Sequence, residues 1–559
     1  MNLPVLDFPS LWRGTRCARQ LRSIIETSAC FNPKLCGPDD LQAAGIFPPG
    51  LRSGEGAERL DWLFNRQQEQ DVHDLAAALF PGVRRIEGDT LWEIEGETLR
   101  EMGWLGATAG KRQKSLNLHK DNWMDVLPRL PGLADPGFLD RFLWVRPDYL
   151  FQETETTWIL VMVRSGSRLR DSYIAEAGFI QTVLARKGIQ LSQCLLLGAN
   201  ENYLRPSGAA GEAGPINARD FFQLHSLNHS IKHQRQPLID AIPRILTDAG
   251  ADRPCDQART CPLCSQDLPA APEHSVHTLH RGGKAVDLLE AQGIHDLADI
   301  DRADAKARAE LKDRHFIQIN SIRNGRPHVD RSGLSSFLRT IRFPVLFLDF
   351  ETTAQALPPA AGIRPWEHVP FMFSAHRAET PADLAPVAEP PALIYLMDPR
   401  KSRQEQLPAL AASLVSAAEG CASVVVYGGA LESHVLLRLG QLLPEHARRF
   451  GELRSALVDL QIPFQQFHYY HPRQYGKLSL KKVLPLLSQS SHLDLDLQSG
   501  GEANLSFYSM ANPQALPPDI GDAFQGDGAN ARLAALRRYC AMDTWGLVGI
   551  LSALFALAE

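Results

Sequence analysis

The stretch that decides the fold is residues 343–353, which read FPVLFLDFETT. Its apolar run, Val345 to Leu348, is typical of a buried β-strand and leads into two acids, Asp349 and Glu351. Residues i and i+2 of a strand point to the same face, about 6.6 Å apart. Two carboxylates on one face repel each other and raise each other's pKa unless a cation lies between them. The stretch indicates a divalent-metal site, and the alternative is a strand that ends in a polar loop.

The size and composition of the chain favour a soluble multidomain protein. Its 559 residues are enough for two to four domains, and 44% hydrophobic with 22% charged residues is ordinary for globular proteins. The net charge of -6 argues against a protein that coats nucleic acid non-specifically, but not against a metal-dependent nuclease. We identify no apolar run of about 20 residues and no signal peptide, and we expect a cytoplasmic protein.

The order of predicted elements gives a multidomain α/β fold with three parts. Residues 1–270, the N-terminal region, predict an α/β core with a buried strand WILVMV. Residues 271–340 are charged and helical, show no compact apolar pattern, and predict a connector. Residues 341–559, the C-terminal region, predict a second α/β domain. The main predicted elements are helices at 58–79, 172–187, 430–442 and 532–551 and strands at 158–163, 194–197, 345–348, 371–374, 392–397 and 423–427.

Three cysteines cluster in CDQARTCPLC, at Cys255, Cys261 and Cys264. The CPLC pair brings two thiolates to one centre, and soft thiolates select zinc or an iron–sulfur cluster. Either centre needs a fourth ligand, for which Cys17 is our candidate, followed by two further N-terminal cysteines. The alternative is a group of exposed, unpaired thiols.

Acids far apart in the chain complete a candidate site in the C-terminal region. Tyr539 and Asp543 are four residues apart on the last predicted helix, so they share a face. Glu432 follows a predicted strand. With Asp349 and Glu351, these carboxylates would hold two Mg²⁺ or Mn²⁺ ions, which stabilise the attacking and leaving oxygens of a phosphoryl displacement. Tyr539 would orient or help deprotonate the attacking water. The alternative is four unrelated acids.

The C-terminal region resembles the DEDD-type 3′–5′ exonucleases of the ribonuclease-H-like fold. The D-x-E motif of that group is matched by Asp349 and Glu351, and its Y-x-x-x-D motif by Tyr539 and Asp543. More closely, the chain is similar to the bacterial family described as domain of unknown function 2779. The stretches that carry this similarity are LDFETT, GIRPWEHVPFMFSAH, VVYGGALESHVLLRL, GKLSLKKVLPLL and YCAMDT. Glu432 stands where many relatives of the fold use Asp.

That family carries an upstream region similar to the iron–sulfur PD-(D/E)xK nucleases of the RecB and CRISPR-adaptation type. The resemblance implies a 4Fe–4S cluster, with zinc as the alternative. One N-terminal cysteine and three late cysteines clasp the cluster in such nucleases. The matching residues here are Cys17, Cys255, Cys261 and Cys264.

The nuclease motif of this upstream region is incomplete. Asp148 matches its first acid, His73 its helix histidine and Gln181 its later glutamine. The E-x-K position falls on Met162 and Arg164. Methionine does not bind a hard cation, and arginine does not deprotonate to act as a base. The resemblance therefore implies a catalytically degenerate nuclease core that is retained for nucleic-acid binding or for structure.

A basic stretch of the C-terminal region supplies candidate nucleic-acid contacts. Lysine and serine side chains would hold phosphates, and the aromatic stretch 467–471, FHYYH, would stack on unpaired bases. The alternative is a solvated basic face. Asp459 is a candidate to support a metal ligand or to replace Glu432. The candidate phosphate contacts are Lys477, Ser479, Lys481 and Lys482.

These patterns lead us to expect a metal-dependent 3′–5′ exonuclease that hydrolyses phosphodiester bonds of DNA, or of RNA. Its partner would be single-stranded or end-bearing DNA, which the iron–sulfur module would help to bind. The alternative is a non-catalytic nucleic-acid-binding scaffold in a repair or phage-defence assembly, with a protein partner. Neither function involves a membrane.

Overall fold

The computed structural model shows a mixed α/β fold with several sheets. It describes residues 6–7, 57–85, 122–140, 143–154, 156–209, 212–233, 271–384, 391–488, 495–497 and 499–559. The candidate cluster ligands Cys17, Cys255, Cys261 and Cys264 lie outside these residues.

The N-terminal region is built around a six-stranded sheet in the order β2-β3-β6-β7-β8-β9. The strands of this region are β1 Leu6–Asp7, β2 Arg84–Arg85, β3 Gly132–Ala134, β4 Phe138–Asp140, β5 Leu143–Val145, β6 Tyr149–Gln152, β7 Thr157–Arg164, β8 Gln190–Ala199 and β9 Phe222–Ser226. Its helices are α1 Ala57–Ala77, α2 Trp123–Val126, α3 Asp171–Arg186 and α4 Ala218–Phe221.

The six central residues of β7 are apolar and buried, and helices cover both faces of the strand. Leu160 and Met162 pack with α3 on one face, whereas Val161 and Val163 pack with α1 on the other. Strand β7 runs antiparallel to β6 and parallel to β8. The predicted strands at 158–163 and 194–197 and the predicted helix at 172–187 are therefore confirmed.

The connector has a core of its own, which the sequence analysis did not predict. Val276, Leu289, Leu297 and Ile319 belong to one buried apolar cluster within it. These residues come from short helices and turns, so no single stretch is long enough to show a helical apolar period. The elements of the connector are α5 Lys284–Ala291, α6 Ala305–Ala309, α7 Asp313–Asn324, β10 His328–Val329 and α8 Arg331–Leu338.

The C-terminal region holds a five-stranded mixed sheet in the order β13-β12-β11-β14-β15. Its strands are β11 Val345–Thr353, β12 Val369–Ala378, β13 Leu393–Leu396, β14 Ser423–Val426 and β15 Leu457–Asp459, and β16 Tyr469–Tyr470 pairs with β10. Its helices are α9 Arg403–Ala417, α10 Ala430–Leu442, α11 Ala447–Ser455, α12 Ile462–Gln465, α13 Leu480–Leu487, α14 Gly500–Ala511, α15 Pro518–Gly521 and α16 Gly526–Ala558.

Strand β11 is central to this sheet and determines which way the two acids point. It is antiparallel to β12 and parallel to β14. Leu346 and Leu348 lie in one apolar cluster, whereas Val345 and Phe347 lie in another. By the period of two, Asp349 and Glu351 continue the row of Val345 and Phe347. The predicted strand is confirmed and extends to Thr353.

Helix α16 is 33 residues long and packs against β11 and β12. Among the described residues it is the one helix whose length and composition would fit a membrane span, and half of its most apolar window is buried inside the protein. The expectation that no segment of the chain has this character was therefore wrong. Core helices pass the same test of length and hydropathy.

Helix α1 joins the N-terminal and C-terminal regions. Its Phe64 belongs to the apolar core of the C-terminal region and meets the ring of Tyr508 edge-on at 4.7 Å. The Gln68 side chain donates to Tyr508 Oη at 3.2 Å and accepts from the Ala356 backbone N–H at 2.7 Å. The indole N–H of Trp366 donates to the Ser165 carbonyl at 2.8 Å. The two regions therefore share a packed, hydrogen-bonded contact.

Candidate metal centre

Three elements bring the predicted acids to one end of the C-terminal sheet. Strand β14 pairs with only Val345–Phe347 of β11, so Asp349 and Glu351 lie beyond the last parallel pair. Glu432 lies in the first turn of α10, which follows β14. Ligand sites in sheets with parallel strands lie beyond the carboxyl ends of those strands. A register shift between Glu351 and Thr352 interrupts the pairing with β12 at the same place, and the pairing then continues to Thr353.

Helix α16 completes the site from the other side. It carries Tyr539, Cys540 and Asp543, all of them buried. The Sγ atom of Cys540 lies 3.4 Å from Asp349 Oδ2. One ligand atom each from Asp349, Glu351 and Cys540 lie within 4.8 Å of one another. Among the described residues, this is the one group of metal-binding side chains so closely placed.

Neighbouring acids raise the pKa of both Asp349 and Glu351. Burial raises the pKa of Asp349 well above its usual value, and the charges of Asp543, Glu351 and Glu432 raise it further. Burial and the charge of Asp543 likewise raise the pKa of Glu351, and the nearby Lys481 ammonium partly offsets the rise. Negative charge from α10 and α16 therefore acts on both acids of β11.

Glu432 has a carboxylate oxygen available for a ligand. Its side chain is 5% exposed, and its Oε2 is buried without a hydrogen-bond partner among the described residues. Burial raises the pKa of Glu432 to about 7, and the charge of Asp459 contributes. A buried carboxylate oxygen without a donor is costly unless a proton or a cation satisfies it. The residues present therefore fit a hard divalent cation.

Tyr539 keeps its phenolic proton in this setting. Burial raises the pKa of Tyr539 far above its usual value, and the charges of Asp543, Glu351 and Asp349 add to the rise. The Nζ atom of Lys481 lies 5.0 Å from the centre of the Tyr539 ring. A protonated phenol donates a hydrogen bond, so the arrangement suits the orientation of a water molecule rather than its deprotonation.

The geometry coincides with a family match. Residues 346–479 match the family model described as Domain of unknown function (DUF2779). No curated protein and no solved structure matches the chain. The DUF2779 match contains Asp349, Glu351 and Glu432, and it ends before Tyr539 and Asp543. It supports the predicted resemblance for this part of the chain.

Asp459, which lies within the DUF2779 match, accepts two backbone hydrogen bonds. Its Oδ1 accepts hydrogen bonds from the backbone N–H groups of Gly428 at 2.7 Å and Gln461 at 2.8 Å. Gly428 has φ of +78°, which glycine adopts readily. Asp459 thus holds the turn that leads into α10, and its charge raises the pKa of Glu432.

The basic stretch 477–482 begins within the DUF2779 match and continues past its end at residue 479. Lys477, Ser479 and Lys482 are exposed, and Lys481 is half-buried beside Tyr539. The prediction that residues 467–471 offer a stacking surface was wrong. The aromatic rings of Phe467, Tyr469 and Tyr470 are 2%, 3% and 0% exposed, because β16 pairs with β10 and packs into the core.

In the N-terminal region, the Arg164 side chain pairs with the acid that matches the predicted nuclease motif. Asp148 Oδ2 accepts from the Val163 backbone N–H at 2.7 Å and from Arg164 Nη1 at 2.8 Å. Arg164 Nη2 lies 2.7 Å from Glu176 Oε2. Burial lowers the pKa of Arg164, but the charges of Glu176, Asp148 and Glu69 outweigh this and raise it above its usual value. The guanidinium thus occupies the space between the two carboxylates.

The other motif residues of that region lie on β7, α1 and α3. Met162 is fully buried and packs toward α3, which carries Gln181. His73 is half-buried on α1. Glu69 of α1 accepts hydrogen bonds from Ser165 N at 2.9 Å and Ser165 Oγ at 2.7 Å. The predicted motif residues therefore lie on elements that pack against β7, and Asp148 and Glu176 are both paired with Arg164.

Sequence reasoning missed three residues of these sites. Cys540 was overlooked between Tyr539 and Asp543, although its spacing of three from Asp543 puts it on the same helix face. Glu69 and Glu176 were overlooked as partners of the Arg164 network. Glu69 is four residues before His73 on α1, so a search for acids on that helix face would have found it.

Proposed function

We propose that the protein is a metal-dependent nuclease that hydrolyses phosphodiester bonds, as a 3′–5′ exonuclease on DNA or on RNA. The observation that supports this is the convergence of four acids from β11, α10 and α16, of which Asp349 is half-buried and the other three are buried. Asp543 and Glu351 are each 6% exposed, and Glu432 is 5% exposed. A cluster of like charges this deeply buried is stabilised when cations neutralise it.

The chemistry of the donor set fits hard cations. Asp349 and Glu351 would hold a first ion, and Asp543 and Glu432 would provide the remaining carboxylate ligands of two neighbouring ions. Two Mg²⁺ or Mn²⁺ ions held there would activate a water molecule and stabilise the leaving oxygen. A mixed sheet with acids beyond the parallel pairing of its central strand agrees with the resemblance to ribonuclease-H-like exonucleases.

The residues around the acids have roles that follow from their chemistry. The protonated Tyr539 hydroxyl would donate a hydrogen bond to the water or to a phosphate oxygen. Lys481, next to the Tyr539 ring, would balance the charge of a phosphate, and its neighbours Lys477 and Lys482 are exposed for contacts along the nucleic-acid backbone.

The N-terminal region supports a binding role rather than a second cutting site. Arg164 already neutralises Asp148 and Glu176. Beside this network is a cleft of about 590 Å³ between the N-terminal and C-terminal regions, whose lining includes Arg168, Arg170, Tyr173 and Trp366. Two exposed guanidinium groups and two aromatic rings suit a nucleic-acid strand. We propose that this region, with an iron–sulfur cluster or zinc at its cysteines, binds the substrate.

The alternative is a non-catalytic nucleic-acid-binding scaffold in a repair or phage-defence complex. The Arg164 network favours it for the N-terminal region only. If the acids of the C-terminal region also lacked activity, both regions would serve as docking surfaces. The two functions differ in whether nucleic acid is cut in the presence of metal.

The decisive experiment compares end-labelled single strands of DNA and RNA, incubated with Mg²⁺ or Mn²⁺ and the full chain. Asp349→Asn and Asp543→Asn are expected to lower the cleavage rate at least about a hundredfold, on the order of 3 kcal/mol in activation free energy. Glu405→Gln, at an exposed acid of α9, is the matched control and should leave the rate unchanged.

The outcomes separate the hypotheses. Cleavage that depends on Asp349 but not on Glu405 supports the nuclease. Binding without cleavage by the unmodified chain supports the scaffold. Cleavage that survives Asp349→Asn and disappears in Asp148→Asn would move the chemistry to the N-terminal region.

A further inference from the structure

We propose that Cys540 is a third protein ligand of the metal position at Asp349 and Glu351, and that this position therefore binds thiophilic divalent ions such as Co²⁺, Zn²⁺ and Cd²⁺ in addition to Mg²⁺ and Mn²⁺. This inference rests on the proposed function, since it assumes that Asp349 and Glu351 hold a metal ion. It names which further ions that site accepts and which residue selects them.

The distance between Cys540 and Asp349 fits a single ion. Metal bonds of about 2.0 Å to oxygen and 2.3 Å to sulfur, at a tetrahedral angle, put the two ligand atoms about 3.5 Å apart. Asp349 Oδ2 and Cys540 Sγ are 3.4 Å apart. The ligand atoms of the group that includes Glu351 lie within 4.8 Å of one another, so a carboxylate movement of up to about 1.5 Å would bring all three atoms to one ion.

Hydrogen bonds from β12 hold Cys540 next to Asp349. Ser374 is the direct partner of Asp349 across the β11–β12 pair. Its hydroxyl donates to the Cys540 carbonyl at 2.6 Å and also contacts Thr544 Oγ1 at 2.8 Å. Strand β12 therefore locks this turn of α16 against the residue opposite Asp349. The position of Cys540 is set by the same contacts that position the acid.

A second observation points to a ligand at this place. The Oε2 atom of Glu432 is buried and has no hydrogen-bond partner among the described residues, and Glu432 lies in the first turn of α10, which follows β14 at the end of the sheet where Asp349 and Glu351 lie. Asp543, three residues after Cys540, shares its helix face. The thiol is therefore part of a set of convergent donors and does not stand alone.

The chemistry of sulfur determines the selectivity. Mg²⁺ prefers oxygen ligands, whereas Co²⁺, Zn²⁺ and Cd²⁺ gain affinity from a thiolate. When the ion binds, a metal–sulfur bond forms and the thiol proton passes to solvent. Replacement of the sulfur by a hydroxyl should weaken the binding of the thiophilic ions and leave the binding of Mg²⁺ nearly unchanged.

The test is a Co²⁺ titration of the full chain, followed by the sulfur-to-cobalt charge-transfer absorption in the near ultraviolet. We compare the unmodified chain with Cys540→Ser, with Asp349→Asn and with Cys421→Ser, a matched control at a free, half-buried cysteine elsewhere in the C-terminal region. Other cysteines that bind Co²⁺ contribute equally to all four proteins, so the differences report Cys540.

The expected result is a component of the absorption that is present in the unmodified chain and in Cys421→Ser and absent in Cys540→Ser and Asp349→Asn. The Kd for Co²⁺ at this site should rise at least about tenfold in Cys540→Ser, or roughly 1.4 kcal/mol. The Kd for Mg²⁺, measured by calorimetry, should change less than about twofold. Melting temperatures show whether each variant is folded, and Asp349→Asn tests the site with the thiol intact.

Two outcomes overturn the inference in different ways. If Cys540→Ser binds Co²⁺ with unchanged absorption and affinity while Mg²⁺ binding still requires Asp349, the thiol is not a ligand and the proposed function stands. If no divalent ion binds in a manner that requires Asp349, the proposed function fails together with the inference.

Discussion

Arg164 and Asp148 form an ion pair inside the N-terminal region, with 2.8 Å between Nη1 and Oδ2. The second nitrogen of the same guanidinium lies 2.7 Å from Glu176 Oε2. The Arg164 side chain is only 16% exposed, and its charge cannot be lost by deprotonation. A residue of fixed positive charge thus stands where the resemblance predicts the E-x-K motif, and it neutralises Asp148 and Glu176.

Removal of this guanidinium should destabilise the fold. Arg164→Met leaves Asp148 and Glu176 close together without their common counterion. Removal of one partner of a buried ion pair costs about 3–5 kcal/mol. Because this pair is partly exposed, we expect the free energy of unfolding to fall by about 3 kcal/mol. Denaturant unfolding monitored by circular dichroism measures it.

The controls for this prediction use a second pair and a double variant. Arg400→Met removes the partner of Asp398 in a surface pair whose arginine is 80% exposed, and it should leave the free energy of unfolding unchanged within error. Arg164→Met combined with Asp148→Asn should recover part of the lost stability, because one uncompensated charge is gone. An unchanged midpoint in Arg164→Met would show that the network does not stabilise the fold.

Glu432→Gln should stabilise the metal-free protein at high pH. Burial raises the pKa of Glu432 to about 7 from 4.5. The folded state therefore holds a proton that the unfolded state releases between these values, and the stability that this proton provides is lost as the pH rises through about 7. At pH 8.5 with a chelator, the neutral amide should be more stable than Glu432 by at most roughly 3 kcal/mol.

If the acids bind Mg²⁺, the unmodified chain should become more stable than Glu432→Gln at pH 8.5. Saturating Mg²⁺ stabilises the chain that keeps all four acids and stabilises Glu432→Gln less, since ligand binding adds to the stability of the folded state. Thermal unfolding at pH 4.5 and pH 8.5, with and without Mg²⁺, measures both effects. A difference between the two proteins that is the same at both pH values and unaffected by Mg²⁺ would contradict the placement of Glu432.

The sequence was sufficient for the parts of the site that depend on local periodicity. A strand puts residues two apart on one face, which paired Asp349 with Glu351. A helix puts residues four apart on one face, which paired Tyr539 with Asp543. The structure places Asp349 and Glu351 beside α16, which carries Tyr539 and Asp543, and it places Glu432 at the start of α10 at the same end of the sheet. Element boundaries were less accurate: α16 begins at Gly526, six residues before the predicted start.

The residues that were missed depend on contacts between distant parts of the chain. Nothing in the sequence around Arg164 shows that Glu176 would lie within hydrogen-bond distance of it. The aromatic rings of residues 467–471 read as an exposed stacking surface because their burial results from the pairing of β16 with β10. Local pattern has no information on such pairing, which is set by tertiary packing.

Gly476 should be the least replaceable glycine at the contact between the connector and the C-terminal region. Its φ is +70°, and a Cβ there would lie 2.0 Å from the Thr278 carbonyl oxygen. Gly476→Ala therefore combines an unfavourable backbone conformation with a clash against backbone that cannot move freely. We expect the free energy of unfolding to fall by at least about 2 kcal/mol more than a positive φ alone explains.

Gly293→Ala isolates the contribution of the backbone conformation. Gly293 has φ of +71°, and nothing lies within 4 Å of a Cβ built on it. It should lose only about 1–2 kcal/mol. Denaturant unfolding of both variants gives the difference, and hydrogen exchange of residues 276–294 shows whether the contact opens. Equal losses in the two variants would mean that the Thr278 backbone adjusts at little cost.

His315 should make the connector sensitive to acid. It is 1% exposed, its Nδ1 accepts from the Lys312 backbone N–H at 3.1 Å, and its Nε2 lies 2.9 Å from the His280 carbonyl oxygen. Burial lowers the pKa of His315 below its usual value, and the positive charge of Arg314 adds to the effect. The ring is therefore neutral when the connector is folded, and protonation of Nδ1 would break the bond from Lys312.

The sign of the pH effect follows from this depressed pKa. The unfolded state binds the proton more readily, so the stability that neutral His315 provides is present above pH 6.5 and is lost as the pH falls below it. His280, whose pKa burial also lowers, acts in the same direction. The hydrogen-exchange protection factors of residues 276–324, which are corrected for the intrinsic pH dependence of exchange, should therefore fall between pH 7.5 and pH 5.5. His315→Asn should reduce that fall, and His295→Asn, at an exposed histidine of the same connector, should not. A fall of equal size in His315→Asn and in the unmodified chain would assign the acid sensitivity to other groups.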